Sequence, residues 1–539
     1  MESFDHIVIG GGASGCVVAA RLVEAGHRVL ILEAGYSHHH PLLDMPPGIF
    51  KLINGSKYMI HHQTVPQDQF GGRQPFIPQG NVLGGGSTVN GQVYMRGRPT
   101  DYDYWDSLLK GSQDYVPWDF EACLPAFTGM EDNNRLLNRY HGVGGPLKVS
   151  DPGYVEPASR WFVQAVQAMG EPFNTDFCGE SQRGAGFYQF MNRNGKRSSA
   201  AYSHVEPLKN NPNLVVRLQS EVQKVVLDGT RAVGVIYADK RGDMHEVRAE
   251  GEVVVAAGAL VTPKILMLSG IGPADHLREV GVDVLHDLPG VGENLIDHAE
   301  VPITAYFNGR HGYYKQGEGW RMIRNGLQFM LFGTGRVCST GVECGAFVNP
   351  IDRDAPPTIQ TFCVNMVYID KDAQDLVKDQ PGVTVATSVI QPKSKGWLRL
   401  ASKNPKDMPL VNPNMLSHEE DMAMMVEGQK FFVDVLRQEP MRSKIKEVVL
   451  PSAETLKSDA AIVEHCRRFA KTGYHPCCSA KMGHDDDPMA VLDPRLRVRG
   501  IDGLRVCDMS ATPYITAGNT QAPVMMIADR CADMMLGNL

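Results

Sequence analysis

The stretch "IVIGGGASGCVVAARLVEAGHRVLILEAG", residues 7–35, constrains the fold of this chain more than any other segment. A β-branched run enters a glycine cluster, an alanine-rich amphipathic stretch follows, and a second apolar run ends at Glu33. That pattern reads as strand, tight turn, helix and second parallel strand. Gly10, Gly12 and Gly15 fit the G-x-G-x-x-G fingerprint. Gly10 allows the turn, Gly12 lets backbone amides approach a pyrophosphate, and Gly15 lets the helix pack close to the strand. The phosphates then meet the positive end of the helix dipole. Glu33 lies about 20 residues downstream, where an acid accepts hydrogen bonds from a ribose diol. The fingerprint leaves NAD and FAD both open.

At 539 residues the chain exceeds what one hydrophobic core holds, so two domains are expected. Its 43% apolar and 21% charged residues are ordinary for a globular protein. A net charge of -8 argues against a nucleic-acid partner, since no excess of Lys and Arg exists to neutralise phosphates. The stretch "KSKGWLRLASKNPK" reads as a solvated hairpin. No apolar run reaches the length of a membrane span. The N-terminus is acidic and enters a strand at once, leaving no room for a signal peptide, so the cytoplasm is the expected location. Eleven cysteines show no C-x-x-C spacing, and the adjacent Cys477 and Cys478 are expected as reduced thiols. The run His38, His39, His40 has no second ligand cluster at suitable spacing and reads as a loop, so no metal is expected.

A long Pro- and Gly-rich connection after Glu33 ends in a second glycine cluster, "NVLGGGSTVNGQVYMRG", where the backbone can lie against something flat or anionic. Four short alternating segments, "NLVVRL", "EVQKVVL", "AVGVIYA" and "HEVRAE", predict an antiparallel meander, and "EVVVAAGAL" a buried strand. Such a meander suits the larger FAD domains of the glutathione reductase type rather than a simple NAD domain. From about residue 300 to 470, "GWLRLAS", "TIQTFCVNMVYI" and "GVTVATSVIQP" alternate like strands of an antiparallel sheet. Residues 417–438 predict an amphipathic helix with a Ser417/Glu420 capping box.

Four segments in this order resemble the glucose-methanol-choline (GMC) flavoprotein oxidoreductases. They are the fingerprint, "GNVLGGGSTVNGQVYMRG", "GALVTPKILMLSGIG" and the C-terminal "YHP", "RVCDMS" and "GNTQAP". Within the family the chain is similar to bacterial alcohol dehydrogenases of the sorbose, choline and hydroxymethylfurfural-oxidising branches. The resemblance implies an α/β Rossmann-like FAD domain of the glutathione reductase type, formed by residues 1–155, 196–300 and 470–539. It also implies an α+β antiparallel-sheet substrate domain from 156–195 and 301–469. By motif, Gly10, Gly12, Ser14 and Gly15 would hold the pyrophosphate and Glu33 the adenosine ribose, with Ala13 and Ala34 also binding the cofactor. Gly85, Thr88 and Asn90 would line the flavin with Tyr474 near it, Val222 would meet the adenine, Asp508 would sit near the ribityl-phosphate region, and Ala257 and Asn519 would also bind the cofactor. Some relatives bind FAD covalently through a histidine in the second glycine motif; Val89 stands there, so non-covalent FAD is expected.

Oxidising an alcohol with a flavin needs a proton acceptor and a positioned donor to the oxygen. Among 18 histidines, sequence alone does not choose; the resemblance selects His475 in "GYHPCC" as base and Asn519 in "TAGNTQAP" as orienter of the hydroxyl. Met95 and Tyr474 are candidate flavin neighbours, and Phe187, Tyr188, Tyr313 and Tyr314 candidate pocket aromatics. Gly473 is a candidate for leaving oxygen space. The expected activity is FAD-dependent oxidation of a CH–OH group, with oxygen or a quinone-type acceptor taking the electrons. A lyase of the same fold (cleaving cyanohydrins or decarboxylating fatty acids in light), an NAD-linked dehydrogenase and a non-catalytic flavin-binding protein remain as alternatives. The particular alcohol and the oligomeric state stay open.

Overall fold

Five short apolar strands pair side by side, all parallel, in the spatial order Leu214–Leu218, Val29–Glu33, His6–Ile9, Val253–Val255 and Leu504–Val506. The computed structural model describes residues 2–53 and 55–539 of the protein. The three central strands bury both faces, which is why they carry unbroken β-branched and leucine runs instead of alternation. Helix Ala13–Glu24 packs against the C-terminal helix Gln521–Met535, where Arg21 pairs with Asp529 and Asp533. The two ends of the chain thereby form one side of the sheet.

Strands Glu221–Asp228, Arg231–Ala238 and Met244–Ala249 form the antiparallel meander, with Ser3–Phe4 added in parallel at its edge. The segment "NLVVRL" is not part of it: Leu214–Leu218 pairs parallel with Val29–Glu33 at the edge of the first sheet. All five residues of this edge strand are half-buried.

A third, seven-stranded sheet runs Ile445–Leu450, Ala299–Phe307, Gly382–Val389, Ile359–Val364, Cys344–Val348 and Gly184–Phe187, with Lys471–Thr472 also paired to Ala299–Phe307. Helices Glu419–Leu436 and Pro157–Ala168 cover one face, their Phe432 and Phe162 rings stacked at 6.3 Å in a second apolar core. The N-terminus of Glu419–Leu436 is capped by His418, whose ring accepts from Glu420 N at 3.3 Å, and not by Ser417. Trp397–Arg399 pairs only with Leu410–Asn412, a hairpin outside the sheet. All eleven cysteines are buried and unbridged, with Cys477 and Cys478 Sγ atoms 3.2 Å apart.

Candidate active site

The parallel and antiparallel sheets meet over a cavity of about 490 Å³. At one end lie Gly10, Gly12, Ala13 and Ser14 of the first glycine turn, with Glu33 and Ala34 beside them. Gly10 holds φ +95°, and a Cβ there would stand 2.5 Å from the Ala256 carbonyl oxygen. Gly15 does not reach the cavity: its Cβ would fall 2.0 Å from the Gly10 oxygen, so it serves helix-to-turn packing. Glu33 accepts from Gly11 N at 2.8 Å and Gly35 N at 2.7 Å, yet burial pushes its carboxyl up to about 7.

Gly85, Asn90, Val222, Ala257, Tyr474, Asp508 and Asn519 line the same cavity. A Cβ on Gly85 would lie 2.9 Å from Gly12 Cα, so the two glycine motifs touch backbone to backbone. Thr88 points away; its hydroxyl donates to Leu83 O at 2.8 Å. Asn90 Oδ1 accepts from Arg197 at 2.7 Å. Asp508, raised by burial, accepts from Gly258 N at 2.8 Å and Thr262 Oγ1 at 2.5 Å, joining the third signature segment to the C-terminus. A helix start that no side chain caps, a buried acid at the end of the second strand and a long cavity between two glycine loops fit the pyrophosphate, ribose and flexible body of FAD.

His475 and Asn519 meet at the other end of this cavity, Nε2 to Nδ2 at 3.2 Å. Gln360 Nε2 donates to Asn519 Oδ1 at 3.1 Å, which turns the amide nitrogen toward His475. On the far side of the ring, His475 Nδ1 lies 3.0 Å from His298 Nδ1, and His298 Nε2 lies 3.1 Å from the Ile390 carbonyl. A carbonyl only accepts, so His298 carries its proton on Nε2 and presents a lone pair at Nδ1. His475 must then donate from Nδ1, leaving Nε2 as the acceptor that takes the Asn519 amide N–H at the cavity. Burial, with His298 beside it, holds His475 well below its usual 6.5, so the neutral ring persists.

Asp297 fixes the loop that carries this ring. Its carboxylate accepts from His475 N at 2.9 Å and from the Thr472 hydroxyl, and burial raises it to about 7. Tyr474 between them takes φ +67°, a strained value for a non-glycine residue. Its amide donates to Thr472 Oγ1 at 2.9 Å and Lys471 Nζ sits 5.0 Å over its ring. Gly473 lines the cavity, and a Cβ on it would stand 3.0 Å from the His298 carbonyl oxygen.

Sequence reasoning missed His298 and Asp297, which stand in an unremarkable "LIDHAE". The signal available was two adjacent titratable residues entering a strand whose remaining positions are buried and mostly apolar. The proposed aromatics do not line the cavity. Tyr188 donates to Thr361 O at 2.6 Å, Tyr313 bonds Glu343 and Tyr314 donates to Asp379 O, while Met95 packs against Gly518. Strand Ile359–Val364 supplies the wall instead: Phe362 and Val364 share one face by the two-residue period, joined by Phe50 and Tyr368. The His38 loop is less isolated than its sequence indicates, since Glu206 brings a carboxylate to His38 and His39 with ligand atoms all within 4.8 Å.

The GMC oxidoreductase family profile matches residues 4–300 and 392–528. The alcohol dehydrogenase [acceptor] of Pseudomonas putida is 37% identical over 99% of this chain and 96% of that protein. Mitochondrial choline dehydrogenase of Mus musculus is 35% identical over 100% of this chain and 90% of that one. Among solved structures, a formate oxidase superposes with TM-score 0.91 at 25% identity, covering 100% of this chain and 98% of the other. Pyridoxine 4-oxidase gives 0.87 at 26%, covering 98% of each. The turn, the cavity and the matches along the whole length agree: this chain belongs to the GMC oxidoreductase family, the FAD-dependent enzymes that oxidise CH–OH groups.

Proposed function

We propose that the chain oxidises an apolar primary or secondary alcohol, with His475 as base and Asn519 as orienter. The carrying observation is the pairing of His475 Nε2 with Asn519 Nδ2 at 3.2 Å in the cavity that begins at Gly10 and Gly12. An alcohol oxygen that displaces this direct contact accepts a hydrogen bond from the Asn519 amide and donates its proton to His475 Nε2. Asn519 then stabilises the developing alkoxide while the His298 lone pair holds the ring in place. FAD, when bound, supplies the two-electron sink that takes hydride from the carbinol carbon. Glu33, Ala34, Gly12, Ser14, Asp508 and Asn90 would hold it, Val222 would meet the adenine, and Val89 offers no nucleophile, so the bound FAD would be dissociable. Residues 1–155, 196–300 and 470–539 form the FAD-binding unit, and 156–195 with 301–469 the substrate unit. The reduced enzyme passes its electrons to oxygen or a quinone-type acceptor, and its place is the cytoplasmic compartment.

The preference for an apolar alcohol comes from the wall. Phe50, Phe362 and Val364 offer hydrocarbon, and the nearby carboxylate, Glu300, is held 2.6 Å from Lys471 Nζ. A paired carboxylate does not repay the dehydration of a quaternary ammonium, so a choline-like cation gains little here.

The test is an anaerobic absorption spectrum titrated with aliphatic, aromatic, polyol and choline-type alcohols, for the wild type and His475→Ala. Bleaching by apolar alcohols in the wild type and its loss in the variant are expected. A flavin band that no alcohol bleaches would sink the oxidation reading in favour of a lyase or a binding protein. Denaturation followed by pelleting reads the cofactor link: the yellow colour should stay in the supernatant.

A further inference from the structure

Helix Gly319–Phe332 reverses the usual arrangement of a surface helix. Its inward side carries Asn325, which bonds Gln316 O at 3.0 Å, and Phe329, which lies over Gly195. Its outward side carries Trp320, Ile323, Leu327, Met330 and Leu331, spaced i, i+3, i+7, i+10 and i+11. Trp320 is 64% exposed, Met330 72% and Leu331 70%, and Phe332 continues the patch at 72%. Scattered exposed apolar residues need no explanation, but a contiguous stripe along one helix marks a contact surface. Arg321 and Arg324 lie together on one flank of the stripe, the second over the Trp320 ring at 5.1 Å, and no acid occurs from Gly319 to Phe332.

We propose that this helix lies on an anionic lipid surface, its apolar stripe among the acyl chains and its two guanidiniums on the phosphates. Charge selects lipid over a second copy of the chain. A like copy laid on this face sets the same guanidiniums against each other with no acid on the helix to pair them, whereas an anionic headgroup layer complements them. An apolar face with arginines on its margin is the form an interfacial helix takes. No described helix is long and apolar enough to cross a membrane, so the contact is lateral. The helix also stands beside the cavity. Residues Arg336–Cys338 after it pack on Pro46–Gly48, Gly341 packs on Phe50, and Thr340 and Val342 line the cavity. Docking would set the cavity wall facing the bilayer, where apolar alcohols and lipid-soluble acceptors concentrate. The docking itself does not depend on the catalytic assignment.

The test is flotation of the FAD-loaded protein with phosphatidylcholine vesicles containing about 30% phosphatidylglycerol, at low and high salt. The wild type should float, less so at high salt. The combined variant Ile323→Asp, Leu327→Asp, Met330→Asp should bind at least about tenfold more weakly, and Arg321→Gln with Arg324→Gln should remove the salt dependence. Retained flavin absorbance shows that each variant is folded. A wild type that stays with the soluble fraction overturns the proposal, as does a triple variant that floats equally well. Sedimentation showing a dimer that the triple variant dissolves, without vesicle binding, assigns the face to a second copy and also overturns it.

Discussion

His298 and His475 meet nitrogen to nitrogen, their Nδ1 atoms 3.0 Å apart across 177 residues of sequence. Two imidazoles can share such a contact only if one donates and the other accepts, and the Ile390 carbonyl decides which. His298 therefore acts through His475, as a positioning residue. Replacing it with alanine frees the His475 ring to rotate and to take the other tautomer. The expected result is a kcat/KM lower by about 10- to 100-fold, with the flavin band intact. The acid limb of the pH profile should also move upward, because His298 is one of the two influences that lower His475. Unchanged kcat/KM in His298→Ala would show that the contact is packing alone.

The same burial sets the pH dependence of the wild type. His475 is a base only when neutral, and its folded pKa lies well below 6.5. The neutral form is thus present above that folded value and is lost as pH falls through it. The acid-limb midpoint of kcat/KM, which reports the free enzyme, should lie below 6.5. A midpoint at 7 or above would mean that another group is the base.

The early part of this fold was legible because local chemistry and tertiary role coincide there. A turn at φ +95° over Ala256 accepts only glycine, so Gly10 announces itself, and Glu33 ends its strand where its carboxylate reaches the turn amides. His475 and Asn519 were legible through the family's motifs, and the structure brings the pair into contact. His298 was not, since a histidine at the start of a buried strand has no local signature. The cavity wall was missed for the opposite reason: Tyr188 and Tyr313 look like pocket residues, but their hydroxyls are taken up by Thr361 and Glu343. "NLVVRL" was legible as a strand but not by its partner, since pairing with Val29–Glu33 is set by the tertiary fold.

Asn519 is the next residue to test. Its oxygen is occupied by Gln360, so only its nitrogen is available to an alcohol. Asn519→Ala removes a donor to the developing alkoxide and should lower kcat by about 10- to 1,000-fold with FAD retained. Gln360→Ala leaves the donor present but unoriented and should cost less. Pre-steady-state reduction of the flavin by a saturating alcohol separates the two, and equal losses would remove the orienting role from Gln360.

Stability should depend most on a buried charge cluster behind the second glycine motif. Glu131 bonds Arg96 at 2.7 Å, His141 at 2.9 Å and Gly142 N at 2.9 Å, while His141 Nε2 reaches Asp176 at 3.0 Å. Burial opposes charge on all four residues, and their mutual bonds overcome it: Glu131 and Asp176 titrate below their usual values, and His141 above its own. Removing one carboxylate strands Arg96, so Glu131→Gln should cost about 3–5 kcal/mol. The pH sign differs by group. The two carboxylates, with depressed values, stabilise fully above their unfolded pKa near 4.5 and 3.8 and lose this as pH falls through their folded ones. His141, with a raised value, stabilises fully below 6.5 and loses this as pH rises through its folded pKa. The cluster is therefore strongest between about pH 4.5 and 6.5. The melting-temperature gap between wild type and Glu131→Gln should be widest in that window and narrow on either side. A gap that does not vary with pH would mean that shape, and not charge, holds this part of the protein together.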